Sequence, residues 1–358
     1  PLSSLSHVRA KLYGHRLDDN RLGHIIADIA DGRYSDVDIA AFVSAFAAQP
    51  AQGEETAALT RAMLAAGDRL EWNADRVMDK HCVGGLPGNR TTPIVVSIVA
   101  AAGLTMPKTS SRAITSPAGT ADAMETMAPV TLDVAAMQKV VEREGGCIVW
   151  GGSVNLSPAD DVLIRIERAL DVDSDAQLVA SVLSKKLAAG STHVLLDLPV
   201  GPTAKIRSTG DADALARLLK DVALQCGLHV TTVQTDGTQP VGRGIGPALE
   251  AHDVLSVLAN RDDAPQDLKA RALALAAGIL ELSGAPRSDA LHRATQLLVE
   301  GRAESKFLAI CEAQGGFKEP GRALQTREFL AARAGRVATF DNRLLARTAK
   351  LAGAPQRA

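Results

Sequence analysis

The sequence predicts an α/β protein that combines a small, discontinuous, all-helical domain with a larger α/β domain built on a mostly parallel sheet. Roughly the first 66 residues show helical periodicity and no strand pattern. From about residue 75, strand-like and helix-like segments alternate, which is typical of a parallel sheet covered by helices. Aromatic residues form only 3% of the 358 residues, and this favours helix-rich α/β packing over a β-sandwich.

The N-terminal segment is predicted to be a series of short helices. Asn20 is placed to cap one helix, and Gly32 is placed to end it. Ser35 and Asp38 resemble a capping box at the start of the next helix, and a further helix is predicted over 54–66.

The alternating part of the chain is predicted to form the sheet. Strands are predicted at 76–78, 105–108, 147–150, 193–198 and 228–233. Helices are predicted at 92–102, 118–127, 133–144, 211–226, 247–259 and 266–283. Ligands of such sheets usually bind where the strands end, so the loops that follow these strands are the first candidates for function.

A second helical stretch interrupts the alternation, and we expect it to return to the N-terminal helices. The small helical domain is therefore predicted to comprise 1–66 and 158–189, and the α/β phosphate-binding domain 67–157 and 190–330. Residues 331–358 are rich in arginine and alanine, and we expect them to be the start of a truncated C-terminal region.

Composition excludes several classes of function. The net charge of −2 gives no footprint for nucleic acid, and no apolar run approaches the ~18 residues of a membrane span. The four cysteines lie far apart without a CxxC pair, which argues against a zinc knuckle or a disulfide framework. We therefore expect a cytoplasmic protein with a small-molecule partner, no nucleic-acid partner and no membrane partner.

A glycine-rich turn between the first predicted strand and helix is the strongest functional signal. Over 79–92 it carries Lys80, Arg90 and three glycines, and it leads into a helix N-terminus that favours anions. The spacing matches neither GxxxxGK[ST] nor GxGxxG. The turn indicates a phosphate site, and a plain turn with both cations solvated is the alternative.

The loop after the second predicted strand is the next signal. Within 108–120, six of thirteen residues carry hydroxyl groups and two are cationic. Such groups suit the many acceptor oxygens of a phosphate, although an ordinary polar loop has a similar composition.

Side chains on the second helical stretch offer weaker signals. Ser181 and Lys185 lie one turn apart on a predicted helix, and Arg165 and Arg168 share a face of the preceding one. A solvated helix surface explains both pairs equally well, and Asp173 is placed to be an N-cap.

Three segments resemble the thymidine and pyrimidine-nucleoside phosphorylase family. The run 110–125 resembles its signature, Asp79-Lys80-His81 followed by Gly84-Gly85 resembles its phosphate loop, and 181–186 resembles its base-binding helix. The resemblance implies the fold of class II nucleoside phosphorylases and anthranilate phosphoribosyltransferase, with a cleft that closes and a homodimer formed through the helical domain. It also implies phosphorolysis of a nucleoside, nominally thymidine, to a free base and a pentose 1-phosphate. Inorganic phosphate is then a co-substrate, and no metal or organic cofactor is needed.

The resemblance assigns roles to individual residues. The implied phosphate-binding residues are Lys80, Gly85, Thr92, Ser110 and Thr120. The implied substrate-binding residues are Ser111, Arg112, Ala113, Ile114, Thr115, Ser116, Arg165, Arg168, Ser181, Lys185 and Lys205. The implied catalytic residues are Asp173, as proton donor, and His81, which faces the base.

Some positions depart from that pattern and resemble AMP phosphorylase, which converts nucleoside 5′-monophosphates to ribose 1,5-bisphosphate. These positions are 86–89 and 115–118, and Cys82 stands where thymidine phosphorylases usually have a serine. The cations beyond Lys80 exceed what one phosphate needs, and they are Arg90, Lys108, Arg112 and Lys205. A nucleotide substrate is therefore an alternative.

Two further alternatives stay open at this point. A phosphoribosyltransferase would need acidic metal ligands, for which Asp160, Asp161 and Asp236 are candidates. A non-catalytic nucleotide-binding homologue would bind the ligand without turnover.

Overall fold

The computed structural model describes residues 2–49, 51, 53–113, 116–172 and 174–356. The chain divides into two compact units. The helical unit comprises Pro1–Asn73, Val154–Val194 and Asp213–Thr231. The α/β unit comprises Ala74–Ser153, Leu195–Ala212 and Thr232–Ala358. The domain limits that the sequence analysis predicts, 1–66 with 158–189 and 67–157 with 190–330, stay a prediction.

The regular elements follow the predicted alternation. The helices are α1 Leu5–Leu12, α2 Asp19–Ala30, α3 Asp36–Ala48, α4 Gly53–Ala65, α5 Thr91–Ala101, α6 Thr120–Glu125, α7 Val134–Glu144, α8 Pro158–Leu170, α9 Asp175–Ala188, α10 Thr209–Gln225, α11 Pro247–Leu258, α12 Gln266–Leu282, α13 Arg287–Val299, α14 Arg302–Gln314 and α15 Asn342–Leu351. The strands are β1 Met78–Cys82, β2 Met106–Ser110, β3 Gly146–Trp150, β4 His193–Val200 and β5 His229–Asp236.

Local capping explains where the first helices begin. The capping box of Ser35 and Asp38 is confirmed: Ser35 N donates to Asp38 Oδ2 at 3.0 Å, and Asp38 N donates to Ser35 Oγ at 3.3 Å. The predicted cap of α2 is wrong, because Asp18 and not Asn20 accepts a hydrogen bond from Arg21 N, at 2.9 Å. Two adjacent aspartates and an asparagine are all good caps, so composition alone does not choose among them.

The helical unit is held together by one apolar core. Ile25 and Phe42, from α2 and α3, are buried in the same cluster as Leu163 of α8 and Ala180 of α9. The second helical stretch therefore packs on the N-terminal helices through its apolar face. This burial explains why the unit is discontinuous in sequence but continuous in space.

Among the described residues, the strands form two short sheets that a parallel bridge connects. One sheet has the order β1-β4-β5, and in the other β2 and β3 pair in parallel with Met106 opposite Gly146. A parallel bridge between Val77 and Thr105 connects them, and Met78 N donates to Thr105 O at 2.8 Å. β1 and β2 therefore begin side by side, and Lys108 of β2 contacts Asp79 of β1.

The core of the α/β unit surrounds α5. Every residue of α5 from Thr91 to Ala100 is buried, as expected for a helix covered on all sides. Phe307 and Ile310 of α14 belong to the same core. Helices α13 and α14 follow the last predicted helix, and no pattern described above predicts them. Among the described residues, no helix has the length and apolar character needed to cross a membrane.

Candidate functional site

Two polar loops meet at the ends of β1 and β2, as the sequence predicts. The first loop leads from Cys82 to the start of α5, and the second leads from Ser110 to the start of α6. They are joined by Arg90, whose Nη1 donates to Thr120 Oγ1 at 2.8 Å and whose Nη2 donates to the carbonyl oxygen of Ala118 at 2.8 Å. The structure thus brings the two candidate phosphate loops into direct contact.

Glycine is required in the first loop by geometry. Gly85 and Gly88 have φ angles of +59° and +73°, in the left-handed region that favours glycine. A Cβ atom on Gly88 would lie 2.2 Å from the carbonyl oxygen of Val241. At Gly88 the loop therefore packs closely against the segment that contains Val241, whereas Gly85 is exposed.

Lys80 is a buried cation without a carboxylate in hydrogen-bonding range among the described residues. Its side chain is almost fully buried, and Nζ donates to the neutral hydroxyl of Thr91 at 2.7 Å. Burial lowers the pKa of Lys80 below its ordinary 10.5, and the nearby Cys82 and Asp197 only partly oppose this effect. Lys80 is therefore a charge that would gain from an anionic ligand.

The other cations near the two loops are already paired. Lys108 Nζ donates to Asp79 Oδ1 at 2.9 Å, with both side chains buried. Arg90 Nε donates to Glu250 Oε2 at 2.7 Å. Arg112 binds Glu125 through two hydrogen bonds of 2.6 and 2.9 Å, contacts Asp122 at 3.2 Å, and lies over the ring of Trp150. Their charges are compensated within the chain.

Hydroxyl groups at the strand ends complete this part of the site. The Ser110 hydroxyl, where β2 ends, is buried and has no hydrogen-bond partner among the described residues. Thr92 lies in the first turn of α5 and is buried, and Thr120 is half-buried at the start of α6. An unpartnered buried hydroxyl is costly, so Ser110 is a candidate to bind a ligand.

Other predicted residues of the second loop bond within the loop itself. The backbone N–H of Ala113 donates to Asp122 Oδ2 at 2.7 Å, and Ser116 Oγ donates to the carbonyl oxygen of Ala118 at 2.8 Å. Ser111 is exposed. Ile114 and Thr115 lie outside the described residues.

Three more of the predicted residues lie outside this loop. His81 is half-buried in β1, and Lys205 is exposed after β4. Asp173, the implied proton donor, lies outside the described residues.

In the helical unit, α9 carries Ser181 and Lys185 half-buried on one face. Lys185 Nζ forms an ion pair with the buried Asp160 of α8. Arg165 binds the exposed Asp36 through two hydrogen bonds of 2.9 and 2.7 Å, whereas Arg168 is exposed near the end of α8. Arg165 is thereby engaged at the surface.

Two of the acidic candidates for a phosphoribosyltransferase metal site, Asp160 and Asp236, are held by other side chains. Asp160 pairs with Lys185, and Asp236 Oδ1 accepts a hydrogen bond from Thr238 Oγ1 at 2.7 Å. In the part of the chain that the structure describes, no cluster of three or more His, Cys, Asp or Glu side chains is placed to hold a metal ion.

Sequence reasoning missed the carboxylates around the loops. Asp79, Asp197 and Glu250 are all at most 1% exposed. Asp197 interrupts an otherwise apolar strand, Leu195-Leu196-Asp197-Leu198, and accepts a hydrogen bond of 2.5 Å from Thr235 Oγ1. A charged residue within such a strand is the signal that could have revealed it.

The buried Lys80 predicts a pH dependence. We expect the binding of an anion at Lys80 to weaken as the pH rises through a value below 10.5, because burial lowers the pKa of Lys80 and only its ammonium form attracts an anion. The Cys82 thiol does not share this range, since burial raises its pKa to about 12. The affinity for inorganic phosphate, used as a probe anion and measured at several pH values, checks the prediction, and an alkaline inflection at or above 10.5 would contradict it.

Comparisons with known proteins cover most of the chain. Residues 6–67 match the family described as "Glycosyl transferase family, helical bundle domain". Residues 74–304 match "Glycosyl transferase family, a/b domain".

Similar curated proteins and solved structures agree with this match. "Putative thymidine phosphorylase 1" of Acidovorax sp. (strain JS42) is 66% identical over 99% of this chain and 70% of its own length. "Putative thymidine phosphorylase" of Chelativorans sp. (strain BNC1) is 62% identical over the same shares. The crystal structure of anthranilate phosphoribosyltransferase from Thermus thermophilus covers 86% of this chain and 98% of its own with a TM-score of 0.68. At 18% identity that likeness shows the fold alone, and it confirms the predicted fold class.

Proposed function

We propose that this chain, which belongs to the thymidine and pyrimidine-nucleoside phosphorylase family and is a pentosyltransferase, cleaves a pyrimidine (deoxy)nucleoside with inorganic phosphate. The nominal reaction converts thymidine and phosphate to thymine and 2-deoxyribose 1-phosphate. The relatives' names support this substrate, and the charges at the two loops support it independently.

The pairing of the loop cations carries the choice of a nucleoside over a nucleotide. Arg90, Lys108 and Arg112 are each compensated by carboxylates, so they do not offer net charge to a second phosphate. In the described contacts the ammonium group of Lys80 donates to a neutral hydroxyl and not to a carboxylate, so it suits one phosphate. Three of the four additional cations that favour a nucleoside monophosphate in the sequence, all except Lys205, are therefore compensated by carboxylates, and this supports a nucleoside as the substrate.

The proposed reaction uses these groups in a simple order. Phosphate is held by Lys80, Ser110 and Thr120, with Thr92 and the backbone at Gly85 beside them. A phosphate oxygen bonds to the anomeric carbon as the bond from that carbon to the base nitrogen breaks, and the bonding electrons leave with the base. Fixed donors aimed at the charges that develop lower the barrier to this step.

The departing base is stabilised by a second group of residues. We assign base binding to Ser181 and Lys185 on α9, with His81 and Arg168, and proton donation to Asp173. Lys185 is ion-paired to the buried Asp160, so we assign it a hydrogen bond to the base rather than a net positive charge. The pairing of Arg165 with Asp36 favours Arg168 over Arg165 as the arginine that faces the base. Protonation of the base completes its release.

We further propose three features of the working protein from the family resemblance. Phosphate is the co-substrate, and neither a metal nor an organic cofactor takes part. The chain forms a homodimer through its helical domain, which sedimentation at several protein concentrations tests. A cytoplasmic location suits the four dispersed free cysteines.

The decisive test is base release, measured side by side with thymidine, uridine, AMP and CMP in the presence of phosphate. We expect release from thymidine or uridine and none from AMP or CMP. Parallel reactions without phosphate separate phosphorolysis from hydrolysis. Turnover of the monophosphates alone would instead place the chain with AMP phosphorylases, and phosphate binding without release from any substrate would favour a non-catalytic homologue.

A further inference from the structure

Arg90 stands out because its buried guanidinium bonds three different groups of the chain. Its side chain is 7% exposed and that of Glu250, its partner, 1%. Nε and Nη2 both contact Glu250 Oε2, at 2.7 and 2.6 Å. Nη1 and Nη2 donate to Thr120 Oγ1 and to the carbonyl oxygen of Ala118, both at 2.8 Å. The guanidinium is thus occupied in several directions by groups of the chain.

These contacts tie together three loops that lead into helices. Arg90 itself immediately precedes α5, Thr120 begins α6, and Glu250 lies in the first turn of α11. The second oxygen of Glu250 accepts a hydrogen bond of 3.1 Å from the backbone of Gly246, which fixes the carboxylate in turn. The planar guanidinium of Arg90 bonds a carboxylate, a carbonyl oxygen and a hydroxyl group at the same time. The single ammonium group of a lysine cannot reproduce this geometry.

The contact with Thr120 also orients the proton of its hydroxyl group. A hydroxyl has one proton to donate, and here its oxygen already accepts a hydrogen bond from a cationic donor. The proton is therefore turned away from Arg90 toward another acceptor. The same arrangement recurs at Thr91, whose oxygen accepts from Lys80 Nζ at 2.7 Å.

We propose that Arg90 is a positioning residue, which Glu250 holds in place and which aims the Thr120 hydroxyl at the phosphate without binding the phosphate itself. The proposal rests on the proposed function in one respect, namely that the ligand at Thr120 is phosphate. In this arrangement Arg90 contributes to phosphate recognition through Thr120, and the buried Glu250 has the role of holding Arg90 in place.

A double-mutant cycle tests the proposal. We expect Arg90→Lys to raise the phosphate KM about tenfold with a smaller change in kcat, because a single ammonium cannot make all these contacts. Thr120→Val should have a similar effect, and the double variant should be no worse than Thr120→Val alone. Direct binding of phosphate by Arg90 would instead multiply the two effects to about a hundredfold, which overturns the proposal.

A matched arginine provides the control. Arg90 precedes the N-terminus of α5, and Arg293 contacts the C-terminal end of that helix, where its Nη2 donates to the carbonyl oxygen of Ala102 at 3.0 Å. Arg293→Lys should leave the phosphate KM unchanged. An equal rise in this variant would mean that any loosening of α5 weakens phosphate binding, and it would also overturn the proposal.

A second variant keeps the test possible if Arg90→Lys does not fold, and a second readout keeps it possible if the protein releases no base. If Arg90→Lys does not fold, Glu250→Gln replaces it in the cycle, and its effect should likewise vanish in the Thr120→Val background. The rise in melting temperature caused by inorganic phosphate measures binding without a nucleoside. Wild-type protein that binds phosphate but releases no base would refute the proposed function and still decide the role of Arg90, whereas absence of phosphate binding would refute both.

Discussion

Replacement of Lys80 by methionine should reduce kcat/KM for phosphate by about 100- to 1,000-fold, the usual effect of removing one preorganised charge donor from an active site. The ammonium group of Lys80 donates to a neutral hydroxyl, whereas the side chains of Arg90, Lys108 and Arg112 pair with carboxylates. An incoming phosphate therefore meets the charge of Lys80. Methionine has a similar length and keeps the buried space filled. Steady-state kinetics with varied phosphate measures the loss.

The same variant should fold at least as stably as the wild type in the absence of phosphate. Burial lowers the pKa of Lys80, which means that the protein disfavours its charged form, and removal of that charge relieves the penalty. Loss of activity with an unchanged or higher melting temperature would identify Lys80 as a functional residue. Lys139→Met, on the exposed face of α7, is the control and should retain full activity. Full activity of Lys80→Met would refute the phosphate site.

Replacement of Lys11 by methionine should destabilise the helical unit by about 3–5 kcal/mol, as expected when one partner of a buried ion pair is removed. Lys11 Nζ lies 2.7 Å from Glu55 Oε2, and the two side chains are 4% and 3% exposed. Glu55 Oε1 also accepts a hydrogen bond of 2.8 Å from Leu17 N, which holds the carboxylate in place. In the Lys11→Met variant this carboxylate therefore stays buried without a counter-charge. Urea unfolding followed by circular dichroism measures the free energy of unfolding.

An exposed ion pair in the same unit gives the comparison. Arg61 and Asp19 lie 2.6 Å apart with side chains 40% and 62% exposed, and Arg61→Met should cost only about 0–1 kcal/mol because water screens the pair. The double variant Lys11→Met/Glu55→Leu should recover much of the loss, since no buried charge then remains. Equal losses of unfolding free energy in Lys11→Met and Arg61→Met would show that burial does not determine how much these ion pairs contribute to stability.

Most elements of the α/β unit could be predicted because their signals are local. The apolar run Ile94–Val99 and the glycine-rich turn before it predict α5, which begins at Thr91. The first strand is predicted at 76–78, whereas β1 spans Met78–Cys82. Asp79 and Lys80 are charged but buried, so hydropathy hides the strand that contains them. Helices α13 and α14 escape prediction because part of their buried face is alanine, at 290, 294 and 303, which gives little apolar contrast.

The sequence by itself determined the fold class, the two polar loops and the lysine that leads into the first of them. These depend on periodicity, turn residues and spacing along the chain, which are local properties. Only the tertiary structure decided which cations are available to a ligand. Arg90 meets Glu250 across 160 residues of sequence, and Lys108 meets Asp79 across 29. Such pairs arise from the order in which strands and helices pack, and that order brings together charges that no local pattern connects.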